Sequence, residues 1–209
     1  MVKMGKRGFT IAEMLVVIGI AAVLIGTTYR IITATLEDSK LDSAANMIKY
    51  DIYYMKKHKN SSSRYLMAFQ NVNIIGMGNF DYVVFDDAIG NSLGVPEAAE
   101  IVRDSFTGNL MAYSFSGIGI TGGTNLQKEY AGIYISNASF FNSNMTERKI
   151  IGFDKLGGPQ VLKNGANYSN SNSMEDINQN GDNKIEIEGF GKKRVIRISP
   201  LTGDIIIED

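Results

Sequence analysis

The 209-residue chain has no cysteine, no tryptophan, three prolines and one histidine. Without a thiol there are no disulfides, thiolate metal sites or cysteine nucleophiles, and the compartment stays open, since cysteine-free chains occur in all of them. Imidazole chemistry rests on His58 alone, in the run Lys56-Lys57-His58-Lys59, which reads as the solvated basic end of a helix with no catalytic partner beside it. A phosphate-binding loop, a dinucleotide fingerprint, H-E-x-x-H and G-x-S-x-G are all missing. Nor is there an excess of either charge: 21 basic against 22 acidic side chains leave a net charge of -1, so nothing marks nucleic acid as the main partner.

The composition, 44% hydrophobic and 21% charged, is that of a globular chain with room for one domain and an appendage. Lys3, Lys6 and Arg7 open it, and between Phe9 and Tyr29 the only charged side chain is Glu13. About 20 apolar residues in a helix cross a bilayer core of roughly 30 Å. The charges before that span predict a cytoplasmic amino terminus and an extracytoplasmic remainder. A cleaved secretory signal is the first rival, with Met14 to Ile25 as its apolar core. Against it, Gly26-Thr27-Thr28-Tyr29-Arg30 and the residues after it offer no A-x-A-like site, and the helical apolar pattern runs on. An acid within an apolar span is costly, which makes Glu13 a functional residue by default.

The segment Lys6-Arg7-Gly8-Phe9-Thr10-Ile11-Ala12-Glu13-Met14-Leu15 resembles the cleavage and methylation motif of type IV pilins and type II secretion pseudopilins. The resemblance implies that a prepilin peptidase cuts between Gly8 and Phe9, that Phe9 becomes the N-methylated first residue, and that Glu13 is the assembly carboxylate. Physically, a carboxylate in lipid is tolerable when paired, and the freed amine of Phe9 supplies the opposite charge in the same layer. Phe9 and Glu13 stand four residues apart, so pairing within one helix is open geometrically, whereas the family implies pairing between neighbouring subunits. Ala12, Gly19, Ala22 and Gly26 place small residues along one stripe, as close helix packing requires, although such residues are common in membrane helices in any case.

Beyond the membrane, Leu41, Ala44, Ala45, Ile48, Ile52 and Met55 recur at three- and four-residue steps, which predicts an amphipathic continuation ending near the polar Asn60-Ser61-Ser62-Ser63. The expected organisation is a leader at 1–8, a membrane and filament-core helix at 9–32, its amphipathic half at 33–60, and a β-rich head at 61–209. Strand signals fall at Phe80 to Phe85, Leu110 to Phe115, Ala131 to Ser136 and Lys149 to Phe153. Arg194 to Ser199 and Asp204 to Glu208 flank Pro200-Leu201-Thr202-Gly203 as a hairpin. A short helix is expected at Pro96 to Arg103, and a surface loop at Asn164 to Ser173. The fold class is α+β, a long amino-terminal helix packed on an antiparallel sheet, as in pilins. Ile150 to Pro159, with Phe153, Gly157 and Gly158, and Ile198 to Gly203 further resemble the carboxy-terminal region of H-type pseudopilins and related minor pilins.

Asp176, Asn178, Asn180, Gly181 and Asp182 fit the first half of a D-x-[DN]-x-[DN]-G calcium loop, in which alternating oxygen side chains wrap a hard cation. The position of the bidentate glutamate holds Ile187, flanked by Glu186 and Glu188, so a polar hairpin tip explains the same residues. No other cofactor is indicated.

The function expected is that of a minor pilin or pseudopilin, not an enzyme, in a type II secretion pseudopilus or a type IV pilus. Its partners would be the prepilin peptidase, like subunits and membrane lipid, and its place the bacterial inner membrane and then the filament. An adhesive or DNA-capturing minor subunit is the alternative, for which Lys192, Lys193, Arg194 and Arg197 are the local basic cluster. A membrane-tethered extracytoplasmic enzyme has the least support, because no motif brings two of the many carboxylates together.

Overall fold

The computed structural model describes residues 9–58, 65–74, 77–86, 98–117, 122–162 and 174–209. Gly8, the polar stretch at 60–63 and the loop at 164–173 lie outside them. The chain divides into two units, Met1–Ser39 and Lys40–Asp209.

Helix α1 runs from Ile11 to Lys57. No proline interrupts it, its first turn carries Glu13 and its last carries Lys56 and Lys57, so both ends complement the helix dipole. In the first unit the helix is long and apolar enough to cross a membrane. Three of its hydroxyls are returned to its own backbone: Thr27 Oγ1 donates to the Val23 and Leu24 carbonyls, Thr33 to Tyr29 and Arg30, and Thr35 to Ile31. Three polar groups therefore ask nothing of an apolar surrounding.

In the second unit the rest of α1 buries Leu41, Ala44, Ala45, Ile48, Ile52 and Met55, the predicted stripe, together with one acid, Asp51. Each of the larger apolar side chains contributes at most about 1.5–3 kcal/mol by leaving water. Two sheets receive that face. The strands of the first are β1 (Tyr65–Ile74), β2 (Gly78–Asp86), β3 (Ala112–Ser114), β4 (Thr124–Asn125), β7 (Ile150–Phe153), β8 (Pro159–Leu162) and β9 (Met174–Asp176). Those of the second are β5 (Ile133–Phe141), β6 (Glu147–Arg148), β10 (Lys184–Gly189), β11 (Lys192–Ile198) and β12 (Ile205–Glu208). The spatial orders are β4-β3-β2-β1-β7-β8-β9 and β12-β11-β10-β5-β6. All named strand pairs are antiparallel except the short β3–β4 pair. Alternation divides the first sheet: Met67, Phe69, Tyr82 and Val84 join the core around α1, while Leu66, Ala68, Val83 and Phe85 join a second apolar cluster.

Two bulges face each other. In β1 the register with β2 shifts between Phe69 and Val72, where Gln70 has φ +62°, and in β5 Ser136 is the extra residue opposite Glu186 and Ile187. Gln70 Nε2 donates to the Ser136 carbonyl at 3.0 Å, so each irregularity satisfies the other.

The short helix expected at Pro96 to Arg103 is not formed over its described part. Ala98 to Glu100 make a turn, and Ile101 and Arg103 form isolated β-bridges. Backbone bonds from Asp86 N to Glu100 O and from Val102 N to Val84 O, at 2.8 and 3.0 Å, tie the segment to β2, and Ile101 and Val102 are both buried. Pairing with the sheet has overridden a weak helical pattern.

The expected carboxy-terminal hairpin is β11–β12, closed by Ser199 N to Asp204 O and Gly203 N to Ser199 O, both 2.9 Å. Gly203 has φ +64°, and a Cβ there would lie 2.6 Å from the Gly157 carbonyl and 3.2 Å from the Phe153 ring. The segments at Phe153 to Gly157 and at Gly203 are thus packed on one another. Lys56 of α1 fastens the same turn, donating to the Thr202 and Gly203 carbonyls at 2.8 and 3.2 Å.

Candidate assembly site

Phe9 and Thr10 precede the first turn of α1, and Phe9 is 81% exposed. Thr10 caps the helix. Its Oγ1 accepts from Glu13 N at 3.3 Å, while Thr10 N and Oγ1 donate to Glu13 Oε2 at 2.8 and 2.9 Å. This reciprocal arrangement is a capping box, which satisfies two amide groups that a helix start otherwise leaves without partners. Thr10-x-x-Glu13 is its signature and stands in the sequence, so the signal was available there. The cap fixes where the Glu13 carboxylate sits, at the first turn and beside the residue before the cap. In the full chain the Phe9 nitrogen is a peptide nitrogen; only cleavage would make it a charged partner.

Along the helix that follows, Met14, Leu15, Val16, Val17, Ile18 and Ile20 are all more than half exposed. At Gly19 and Gly26 an added Cβ would have nothing within 4 Å, so the small-residue stripe lies open. A surface of this kind is stable in lipid or against other apolar helices, not in water.

The candidate calcium residues are placed differently. Asp176 ends β9 and accepts from Gln160 Nε2 at 3.2 Å. Asn178 turns its amide nitrogen to the Asn142 and Ser143 carbonyls and its Oδ1 to Asn180 N at 2.8 Å. Asp182 binds Lys184 Nζ at 2.5 Å and also the Arg197 guanidinium. Lys184 and then Arg197 hold the Asp182 carboxyl below its ordinary range. Glu186 is held low by Lys193 at 2.7 Å and Lys184 at 3.0 Å. Glu188 accepts from Tyr134 OH at 2.9 Å. Among the described residues no three histidine, aspartate or glutamate side chains gather as a metal-holding group. Asn183, which the sequence reading passed over, closes the loop by accepting from Phe141 N and donating to the Asn178 and Gly181 carbonyls, each at 2.9 Å.

Three members of the basic cluster on β11 are neutralised in the same way. Lys193 pairs with Glu186, Arg194 with Asp42 and Asp209, and Arg197 with Glu208 and Asp182. Their charge faces acids of the head itself.

A polar site that the pattern did not announce lies under α1. Asp51 is 3% exposed and accepts from Tyr82 OH at 2.9 Å, and the fully buried Tyr82 stacks on Tyr113 with ring centroids 4.7 Å apart. Burial pushes the Asp51 carboxyl up to about 7; the Tyr82 hydrogen bond opposes this and the Asp104 charge adds to it.

Residues 3–29 match the family model of the prokaryotic N-terminal methylation motif. No curated protein and no solved structure matches the chain. The motif and the apolar helix support a type IV pilin-type subunit, a structural kind of protein, with one amino-terminal anchor suited to the inner membrane. They fit processing by a prepilin peptidase and assembly with like subunits.

Proposed function

We propose that the chain is a minor pilin or pseudopilin: cleaved between Gly8 and Phe9, N-methylated at Phe9, and assembled through α1 into a type IV pilus or a type II secretion pseudopilus. The observation that carries this reading is the coincidence of the methylation motif with one carboxylate, Glu13, at the head of an exposed apolar span that is otherwise uncharged as far as Tyr29. Leaving such a carboxylate unpaired in lipid costs about 3 kcal/mol or more, so a subunit gains by supplying it with a partner. Thr10 occupies Oε2, and the second oxygen is the one offered to a neighbour's Phe9 amine. The head lies on the extracytoplasmic side, since the cationic leader precedes the span.

Amino-terminal sequencing of the mature protein tests the processing, with N-methylated phenylalanine from position 9 expected. Glu13→Ala should leave membrane insertion intact and abolish assembly into filaments. Normal filaments from that variant would refute charge docking.

A further inference from the structure

Opposite its buried stripe, α1 presents a second one. Tyr50, Tyr53, Tyr54, Lys57 and His58 follow the steps i, i+3, i+4, i+7 and i+8, and with Phe106 they line a cleft of about 490 Å³ within the head. A solvent face of a helix is ordinarily polar; here Tyr50 is 49%, Tyr53 42% and Phe106 84% exposed.

The far wall is a turn whose backbone is fixed by hydrogen bonds. Asp104 accepts from Phe106 N at 2.9 Å and from Thr107 Oγ1 at 3.0 Å, Gly108 N closes onto the Asp104 carbonyl at 2.8 Å, and Asp104 N onto Asn109 O at 2.9 Å. Arg103 Nη1 braces the Gly108 carbonyl at 2.9 Å. On the near wall the Tyr54 ring lies between His58, at 4.3 Å, and Tyr65, at 6.4 Å and nearly parallel. The turn that carries Phe106 and the Tyr54 ring are therefore held before any ligand arrives, which lowers the entropy lost on binding.

We propose that this cleft binds an acidic oligosaccharide. Its volume lies within the range of small-ligand sites and its lining is largely aromatic. The apolar C–H face of a sugar ring stacks on phenol and phenyl rings, and the tyrosine and Ser105 hydroxyls bordering the cleft exchange hydrogen bonds with sugar hydroxyls. Lys57, beside His58, supplies the cation for a uronic carboxylate, and Lys49, 6.0 Å from the Tyr53 ring, adds to the positive field. A single-stranded nucleic acid also wants rings and cations, but it brings a phosphate with every base. Among the described residues the cleft has one lysine in its lining and the Asp104 carboxylate next to Ser105, a charge density suited to an occasional carboxylate. A quaternary ammonium ligand is disfavoured by Lys57. The site is separate from the assembly segment and does not depend on the filament reading.

The test uses the full chain in a detergent without a sugar headgroup, with no divalent cation, titrated calorimetrically with trigalacturonate, neutral galactotriose and an oligothymidylate. Trigalacturonate should bind in the micromolar to millimolar range and galactotriose several-fold more weakly. Tyr53→Ala and Phe106→Ala should each weaken trigalacturonate by about tenfold. Lys57→Gln should erase the preference for the acidic sugar while leaving galactotriose binding in place. Since these side chains are exposed, melting curves of the variants should overlay that of the parent. Absence of heat with trigalacturonate at millimolar concentration, binding indifferent to both ring deletions, or tighter binding of oligothymidylate would each overturn the proposal.

Discussion

Replacing Asp51 with asparagine should stabilise the protein at pH 8 and leave it nearly unchanged at pH 4. The carboxyl is buried between α1 and the first sheet, with Tyr82 OH as its hydrogen-bond donor, and its pKa is raised from 3.8 to about 7. The folded state therefore holds a proton that the unfolded state has released across the interval from about pH 4 to pH 7. Where the native state binds more protons, stability falls as pH rises, so this residue's contribution is fully present below about pH 4 and lost by about pH 7. A gap of about 3 pKa units at 1.36 kcal/mol each gives a loss on the order of 4 kcal/mol above pH 7. Asparagine keeps an oxygen for Tyr82 and carries no charge. Thermal unfolding of parent and Asp51→Asn, followed by the strand circular dichroism signal from pH 4 to pH 8, should show curves that diverge with rising pH. Each kcal/mol corresponds to roughly 2–4 °C for a chain of this size. Using the difference between the two proteins cancels Glu147, Asp182 and Glu186, whose lowered pKa values work in the opposite direction. Parallel curves over the whole range, or a variant less stable at pH 8, would refute the reasoning.

Gly203→Ala should destabilise the head by about 2 kcal/mol or more, measured by chemical denaturation, because alanine pays for the left-handed backbone and its Cβ meets the Gly157 carbonyl. Millimolar calcium should leave the melting temperature where it was, since an ion at Asp182 must displace both Lys184 and Arg197; a rise of several degrees would show that the loop accepts the ion after all. Tyr82→Phe should cost about 1–3 kcal/mol by leaving the buried Asp51 oxygen without its donor, with the larger loss at high pH, seen in the same unfolding assay.

Much of the fold was legible because period and turn chemistry agree with the tertiary structure. The stripe from Leu41 to Met55 is buried as its spacing predicts, and the last hairpin has its glycine where a left-handed residue is required. Asp51 escaped because hydropathy assigns an acid to the outer face, and only the position of Tyr82, thirty-one residues away, makes an inner place tolerable. Residues 98–103 escaped for the converse reason: their pattern is local, whereas their partners Val84 and Asp86 are not. At the amino terminus the methylation motif is contiguous and therefore visible in sequence, and the structure shows Thr10 and Glu13 forming the cap. In the loop from Asp176 to Asp182 the oxygen spacing is visible in sequence, whereas the partners of those oxygens, such as Gln160 for Asp176 and Arg197 for Asp182, come from distant strands.

The facing bulges at Gln70 and Ser136 bear on how such a head can diverge. A loop can grow or shrink at little cost, because closure entropy rises slowly with length. The count of residues within β1 and β5 has no such freedom. Deleting Gln70 would leave one residue instead of two opposite Asp81, erasing the bulge and with it the donor that reaches the Ser136 carbonyl, so an indel in one strand calls for a matching indel in the other. The pair acts as an index mark: homologues of this head should vary in length between strands and keep these two strands in step.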